Sequence, residues 1–130
     1  FKYLCFYILC GVIAFLVHVL LNKDSDVPCI GESGAIAGVL GAYMITFPYA
    51  RIVTIIPILF LWPIIELPAM VVLGFWFILQ FFFGAASITS SVAEESVAWW
   101  AHIGGFISGI FIYYVLRIMH GEKQKTPKYR

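Results

Sequence analysis

Ser33-Gly34-Ala35-Ile36-Ala37-Gly38-Val39-Leu40-Gly41-Ala42-Tyr43-Met44-Ile45-Thr46-Phe47 is an uncharged, apolar run of 15 residues that ends at Pro48. As a helix it rises about 22 Å, which falls short of the roughly 30 Å hydrocarbon core of a bilayer. A helix that begins within a membrane leaves irregular backbone at its entrance. Such backbone is tolerated only when buried in protein or lining a water-filled cavity. A cavity within the membrane is therefore expected around Ser33.

The rest of the chain makes a membrane the expected solvent. Of its 130 residues 62% are apolar and 12% are Asp, Glu, Lys or Arg, against roughly 45–50% and about 25% in soluble domains. A chain of this size has too little interior to hide that much apolar surface from water. Disorder, a soluble enzyme and a nucleic-acid binder are excluded together. At about 20 residues per crossing the length allows at most about five or six spans and one domain.

Outward from the short run, four crossings and one interrupted segment are expected. Tyr3 to Leu21 is free of Lys, Arg, Asp and Glu and fits one spanning helix; it stops at Asn22-Lys23-Asp24-Ser25-Asp26 and Pro28. Pro48 and Arg51 end the Ser33 helix. Ile52 to Trp62 is β-branched but carries Pro57, with Pro63 following; it reads as an interfacial hairpin or a half-helix, not a crossing. Glu66 and Pro68 are expected to open a third helix running to about Phe83. A polar loop from Ala85 to Ser96 precedes a fourth helix, Val97 to Met119. Of eight basic residues, Lys2, Arg51, Arg117, Lys123, Lys125, Lys128 and Arg130 fall on one side of this topology and Lys23 alone on the other. The positive-inside rule then makes the C-terminus cytoplasmic.

Ser33, at the head of the short helix, and His102, about 7 Å into the fourth, are polar residues without a structural excuse, and ionisable groups in a membrane are by default functional. A neutral imidazole can take a serine proton near pH 7, and a helix N-terminus can stabilise an oxyanion. Hence Ser33 and His102 are candidates for a Ser–His unit. Each also has a plainer reading: a serine heading a helix is usually an N-cap, and a lone membrane histidine usually bonds a backbone carbonyl. Gly34, Gly38 and Gly41 on one helix and Gly104, Gly105 and Gly109 on the other explain how the two could meet. The Gly34/Gly38 and Gly105/Gly109 spacings let membrane helices approach backbone to backbone. Generic helix packing uses the same spacing. A Ser33 hydroxyl near 3 Å from a His102 nitrogen would support that unit, and a separation beyond about 6 Å would count against it.

Gly31-Glu32-Ser33-Gly34 through Tyr43, together with Ala101-His102-Ile103-Gly104-Gly105, resembles the paired motifs of the rhomboid family of intramembrane serine proteases, and the resemblance extends over residues 1–118. It implies an all-α, rhomboid-like polytopic helix bundle. The four crossings here would be the family's third to sixth, with its first two missing and residues 119–130 a basic cytoplasmic tail. The first residue is Phe and no signal-peptide pattern precedes the first apolar run, which also suggests part of a longer chain. The resemblance implies that Ser33 is the nucleophile and His102 the base. It further implies that transmembrane proteins are cleaved near their outer membrane boundary. Residues 1–130 alone are expected to turn over little substrate, because the family's oxyanion-binding His and Asn lie on the absent second helix. His18 and Asn22 have their spacing but end the helix before the Ser33 loop, and are read as coincidence. Glu32 departs from the small or apolar residue more usual between the glycine and the serine.

The resemblance leads to an enzyme needing no organic cofactor and no metal; the histidines and cysteines lack ligand spacing. Its partners are transmembrane substrates and the lipid bilayer, with no nucleic acid. The expected location is multi-pass in a bacterial-type plasma membrane. Phe81-Phe82-Phe83 and Trp99-Trp100 read as lipid-facing or interfacial-belt residues, and the resemblance makes Phe75 to Ser96 a candidate for substrate gating. The rival reading is a non-catalytic rhomboid-like pseudoprotease that binds or escorts membrane clients; it ranks behind because both Ser33 and His102 are present.

Overall fold

The computed structural model describes residues 1–23, 31–56, 60, 62–89 and 98–121. They form helices α1 (Lys2–Leu21) and α2 (Glu32–Thr46), strands β1 (Arg51–Ile55) and β2 (Ile64–Pro68), and helices α3 (Ala69–Thr89) and α4 (Trp99–Met119). Three stretches among them are long and apolar enough to cross a membrane: α1, Ala69–Ser87 of α3, and α4. With 15 residues, α2 is shorter than a full span. The four expected crossings are thus three full-length spans and one short helix.

Close contacts fix the directions of the helices. Ala14 faces Gly34 and Cys10 faces Gly38, so α1 runs antiparallel to α2. Gly34 meets Gly105 and Gly38 meets Gly109, so α2 and α4 run parallel. Trp76 lies against Phe106 and Gly84 against Trp100, so α3 runs antiparallel to α4. A chain that passes back and forth four times gives this alternation. Lys2, Arg51 and Arg117 consequently share one end, where Lys2 Nζ lies 3.5 Å from His120 Nε2. Ser33 and the start of α4 lie at the other.

The bundle interior is small and made largely of small side chains. Cys10, Ala14, Ala35, Ala37, Ala69 and Ala101 are buried, with Phe106 the largest buried side chain. Large apolar residues such as Ile8, Phe15, Phe75, Phe82 and Phe111 remain outside. In lipid there is little reason to hide them, because acyl chains are as apolar as leucine. Close van der Waals packing of small residues holds such helices together instead.

A hairpin forms, but not within the expected bounds of Ile52 to Trp62: only its first strand, from Ile52 on, lies there, and the second follows Pro63. β1 and β2 pair antiparallel from Arg51↔Pro68 to Ile55↔Ile64, and Ile56 N–H extends the pairing to the Pro63 carbonyl at 3.1 Å. Ile52, Val53, Thr54, Ile64 and Ile65 are β-branched and suit a pleated surface. Arg51 and Glu66 form an exposed ion pair across the strands at 3.0 Å.

This pairing corrects the expected start of the third helix: Glu66 and Pro68 belong to β2, and α3 opens at Ala69. Its first N–H groups are satisfied from the chain leaving α2, Ala69 N–H by the Ala50 carbonyl (2.8 Å) and Met70 N–H by the Pro48 carbonyl (3.0 Å). The helix also outlasts its expected end at Phe83. Ala85 and Ala86 continue it, the Ser87 hydroxyl donates to the Gly84 carbonyl at 2.7 Å, and α3 reaches Thr89. Asp24, Asp26, Pro57, Glu94, Glu95 and the tail beyond Gly121 lie outside the described residues.

Candidate active site

The site is built on the crossing of α2 and α4. A Cβ added to Gly34 would lie 3.2 Å from the Ala101 carbonyl oxygen, and one on Gly38 3.1 Å from that of Gly105. On α4 a Cβ at Gly105 would collide with the Gly34 carbonyl, and one at Gly109 with that of Gly38. Gly41 approaches the Phe106 carbonyl in the same manner. Only hydrogen in place of a side chain allows backbones this near one another.

Ser33 and His102 each stand one residue from this crossing, beside Gly34 and Ala101 respectively. Ser33 is exposed in the first turn of α2. That turn has no side-chain cap, and its hydrogen-bond ladder begins with Ala35 N–H to the Gly31 carbonyl at 3.2 Å. The N–H groups of Glu32, Ser33 and Gly34 precede the ladder and stand at the positive end of the helix dipole. Glu32 is exposed there, where a negative charge is favourable.

His102 is half-buried and points to α3. Its Nδ1 lies 2.6 Å from the Oε1 of Gln80. The imidazole centroid is 5.8 Å from the Trp76 ring and 6.2 Å from the Trp99 ring, the latter edge-on. The expected hydrogen bond between Ser33 and His102 is not formed among the described residues. The helix geometry explains why. Ala101 is the α4 residue turned to Gly34, and each further residue rotates by about 100°, which carries His102 round to α3.

Gln80 escaped the sequence reading. It is 5% exposed in the aromatic run Phe75-Trp76-Phe77-Ile78-Leu79-Gln80-Phe81-Phe82-Phe83, part of the stretch that the family resemblance marks for gating. The available signal was its polarity. An amide within a spanning helix requires a partner, and the half-buried polar side chain facing it is His102.

His18 and Asn22 sit at the Ser33 end of α1, where they finish that helix. The Asn22 amide donates to the His18 carbonyl at 3.1 Å, and Asn22 Nδ2 lies 3.4 Å from His18 Nδ1. Within Phe75 to Ser96, Phe75, Ile78, Phe81 and Phe82 face outward, while Phe77 stacks on Phe106 at 4.7 Å and Phe83 on Trp99 at 4.9 Å.

A family model described as the Rhomboid domain matches residues 1–118. The chain belongs to the rhomboid family. No curated protein and no solved structure matches it. Its three apolar spans and the rhomboid match together describe an integral, multi-pass membrane protein. Within this rhomboid domain the two motifs, Gly31-Glu32-Ser33-Gly34 and Ala101-His102-Ile103-Gly104-Gly105, lie on the two helices that cross most closely.

Proposed function

We propose that this rhomboid-family protein is an intramembrane serine endopeptidase cleaving transmembrane proteins near the outer membrane boundary, with Ser33 as nucleophile and His102 as base. The observation that carries the reading is the contact of Gly34 with Ala101, because the two reacting residues flank it on parallel helices at one end of the bundle. The opposite end, with Lys2, Arg51 and Arg117, is the cytoplasmic one by the positive-inside rule. The site then opens toward the external face.

In this mechanism the Ser33 Oγ attacks the scissile carbonyl carbon while its proton passes to His102. The Ser33 N–H, ahead of the α2 ladder, stabilises the resulting oxyanion. His102 then protonates the leaving amine, and water hydrolyses the acyl-enzyme by the same route in reverse. Helix-destabilising residues in a substrate help, because an intact helix shields its carbonyls. Ser33 and His102 need not be hydrogen-bonded beforehand, since catalytic bonds in unliganded sites commonly tighten only when substrate arrives.

One observation favours a second reading. Without a Ser33–His102 bond, a pseudoprotease that binds membrane clients through the same fold would present the same resting geometry. Ser33→Ala in the full-length protein separates the two. Proteolysis of a transmembrane reporter should vanish at unchanged expression, and a serine-directed fluorophosphonate should cease to label the protein. Undiminished cleavage by Ser33→Ala would sink the protease assignment.

A further inference from the structure

We propose that Gln80 is a positioning residue for His102: its amide oxygen accepts the Nδ1 proton and so leaves Nε2 as the ring nitrogen that takes the proton from Ser33. This deepens the protease reading and rests on it.

A neutral imidazole carries one proton and can hold it on either nitrogen. Which nitrogen is free decides whether the ring can act as a base toward a given group, and the hydrogen bond made by the other nitrogen fixes the choice. With Gln80 Oε1 at 2.6 Å, Nδ1 is the donor and keeps the proton. Nε2 retains its lone pair. The same bond persists when His102 becomes an imidazolium, since both nitrogens are then donors.

The surroundings fit an orienting role. Gln80 is buried at 5% exposure, so its acceptor suffers little competition from water. It is neutral, so no isolated charge enters the bilayer, where a carboxylate would be costly. Trp76 and Trp99 lie against the imidazole, Trp99 edge-on, and Phe77, three residues before Gln80, stacks on Phe106, four residues beyond His102. Those ring contacts hold α3 and α4 in the register at which amide and imidazole meet. Histidine bases in enzymes are generally oriented by a third group, and here that group comes from a different helix than either member of the pair.

The test uses the full-length protein in detergent or liposomes. 15N NMR of the His102 imidazole in the unmodified protein should report the Nδ1–H tautomer, and Gln80→Leu should abolish that preference. In the same variant, kcat on a transmembrane reporter should fall about tenfold to a hundredfold at unchanged KM, a part of the roughly 10²–10⁴-fold that a general base supplies. Gln80→Glu, whose neutral carboxyl keeps an acceptor oxygen of the same reach without a buried charge, should restore most of the lost kcat. An Nε2–H tautomer in the unmodified protein, or unchanged kcat in Gln80→Leu, overturns the proposal. Retained proteolysis by Ser33→Ala overturns the protease reading instead, and the NMR signal still reports on the Gln80 bond.

Discussion

α4 is held on its two sides by different means. Toward α1 and α2 it offers Gly104, Gly105 and Gly109, and backbone lies against backbone or, at Gly104, against the Val17 side chain. Toward α3 it offers the side chains of Trp99, Trp100, His102, Ile103 and Phe106, and contact is made mainly between rings and one amide. The first interface has no room to adjust. The second consists of side chains that can rotate, and among the described residues α3 touches α4 and α2 but not α1. Relative motion is therefore easier between α3 and α4 than between α2 and α4.

The largest effect is expected where the backbones meet. Gly105→Val would drive two methyl groups and a Cβ against the Gly34 carbonyl. Overpacking of this kind costs about 3 kcal/mol or more when backbone must move. Thermal unfolding in detergent should register the loss, and reporter cleavage should disappear with it. A Gly105→Val protein as stable as the wild type would mean that the interface is slack, and the contrast between the two sides of α4 would collapse.

A smaller and more local effect is expected on the aromatic side. Phe77→Ala removes the ring stacked on Phe106, and because Phe77 is half-buried the cost should be about 1–2 kcal/mol, below the 3–5 of a fully buried ring. Hydrogen exchange should quicken in α3 while α1 and α2 keep their protection. Uniform quickening across all helices would show that α3 is as integral to the bundle as its neighbours.

Gly74 sharpens the comparison from the other direction. It lies on α3, yet a Cβ built there meets nothing within 4 Å. Gly74→Ala should therefore be neutral or raise stability by up to about 1 kcal/mol, since glycine weakens a helix interior relative to alanine. A marked fall in melting temperature would reveal a close packing partner for this face of α3.

Much of the fold was legible because membrane helices announce themselves by length. Tyr3–Leu21 and the fourth helix were bounded to within one or two residues, and the short second helix was recognised as short. The third helix was misjudged at both ends for local reasons. Pro68 suits a helix's first turn as well as the end of an edge strand, and only its pairing opposite Arg51 decides between them. Phe83 reads as an end because a polar loop is expected from Ala85 to Ser96, whereas the Ser87 hydroxyl bonds back onto the helix.

As candidates, Ser33 and His102 were legible from their polarity in apolar runs, and the glycines indicated which helices meet. What pattern could not supply was rotation about the α4 axis. Ala101 and His102 are adjacent in sequence but face different neighbours, and that angle gives the imidazole to Gln80 in the resting structure.

The crossing of Gly34 with Ala101 has a consequence for tolerance. It behaves as a machinist's datum from which both proposed reacting groups are offset by one residue, so no intervening loop or hinge can absorb an error in their separation. An added methyl at the crossing would appear almost undiminished as misalignment of oxygen and nitrogen, and a displacement of about 1 Å can cost a hundredfold in rate. In such a layout, loss of activity should precede loss of folding as the crossing is progressively widened.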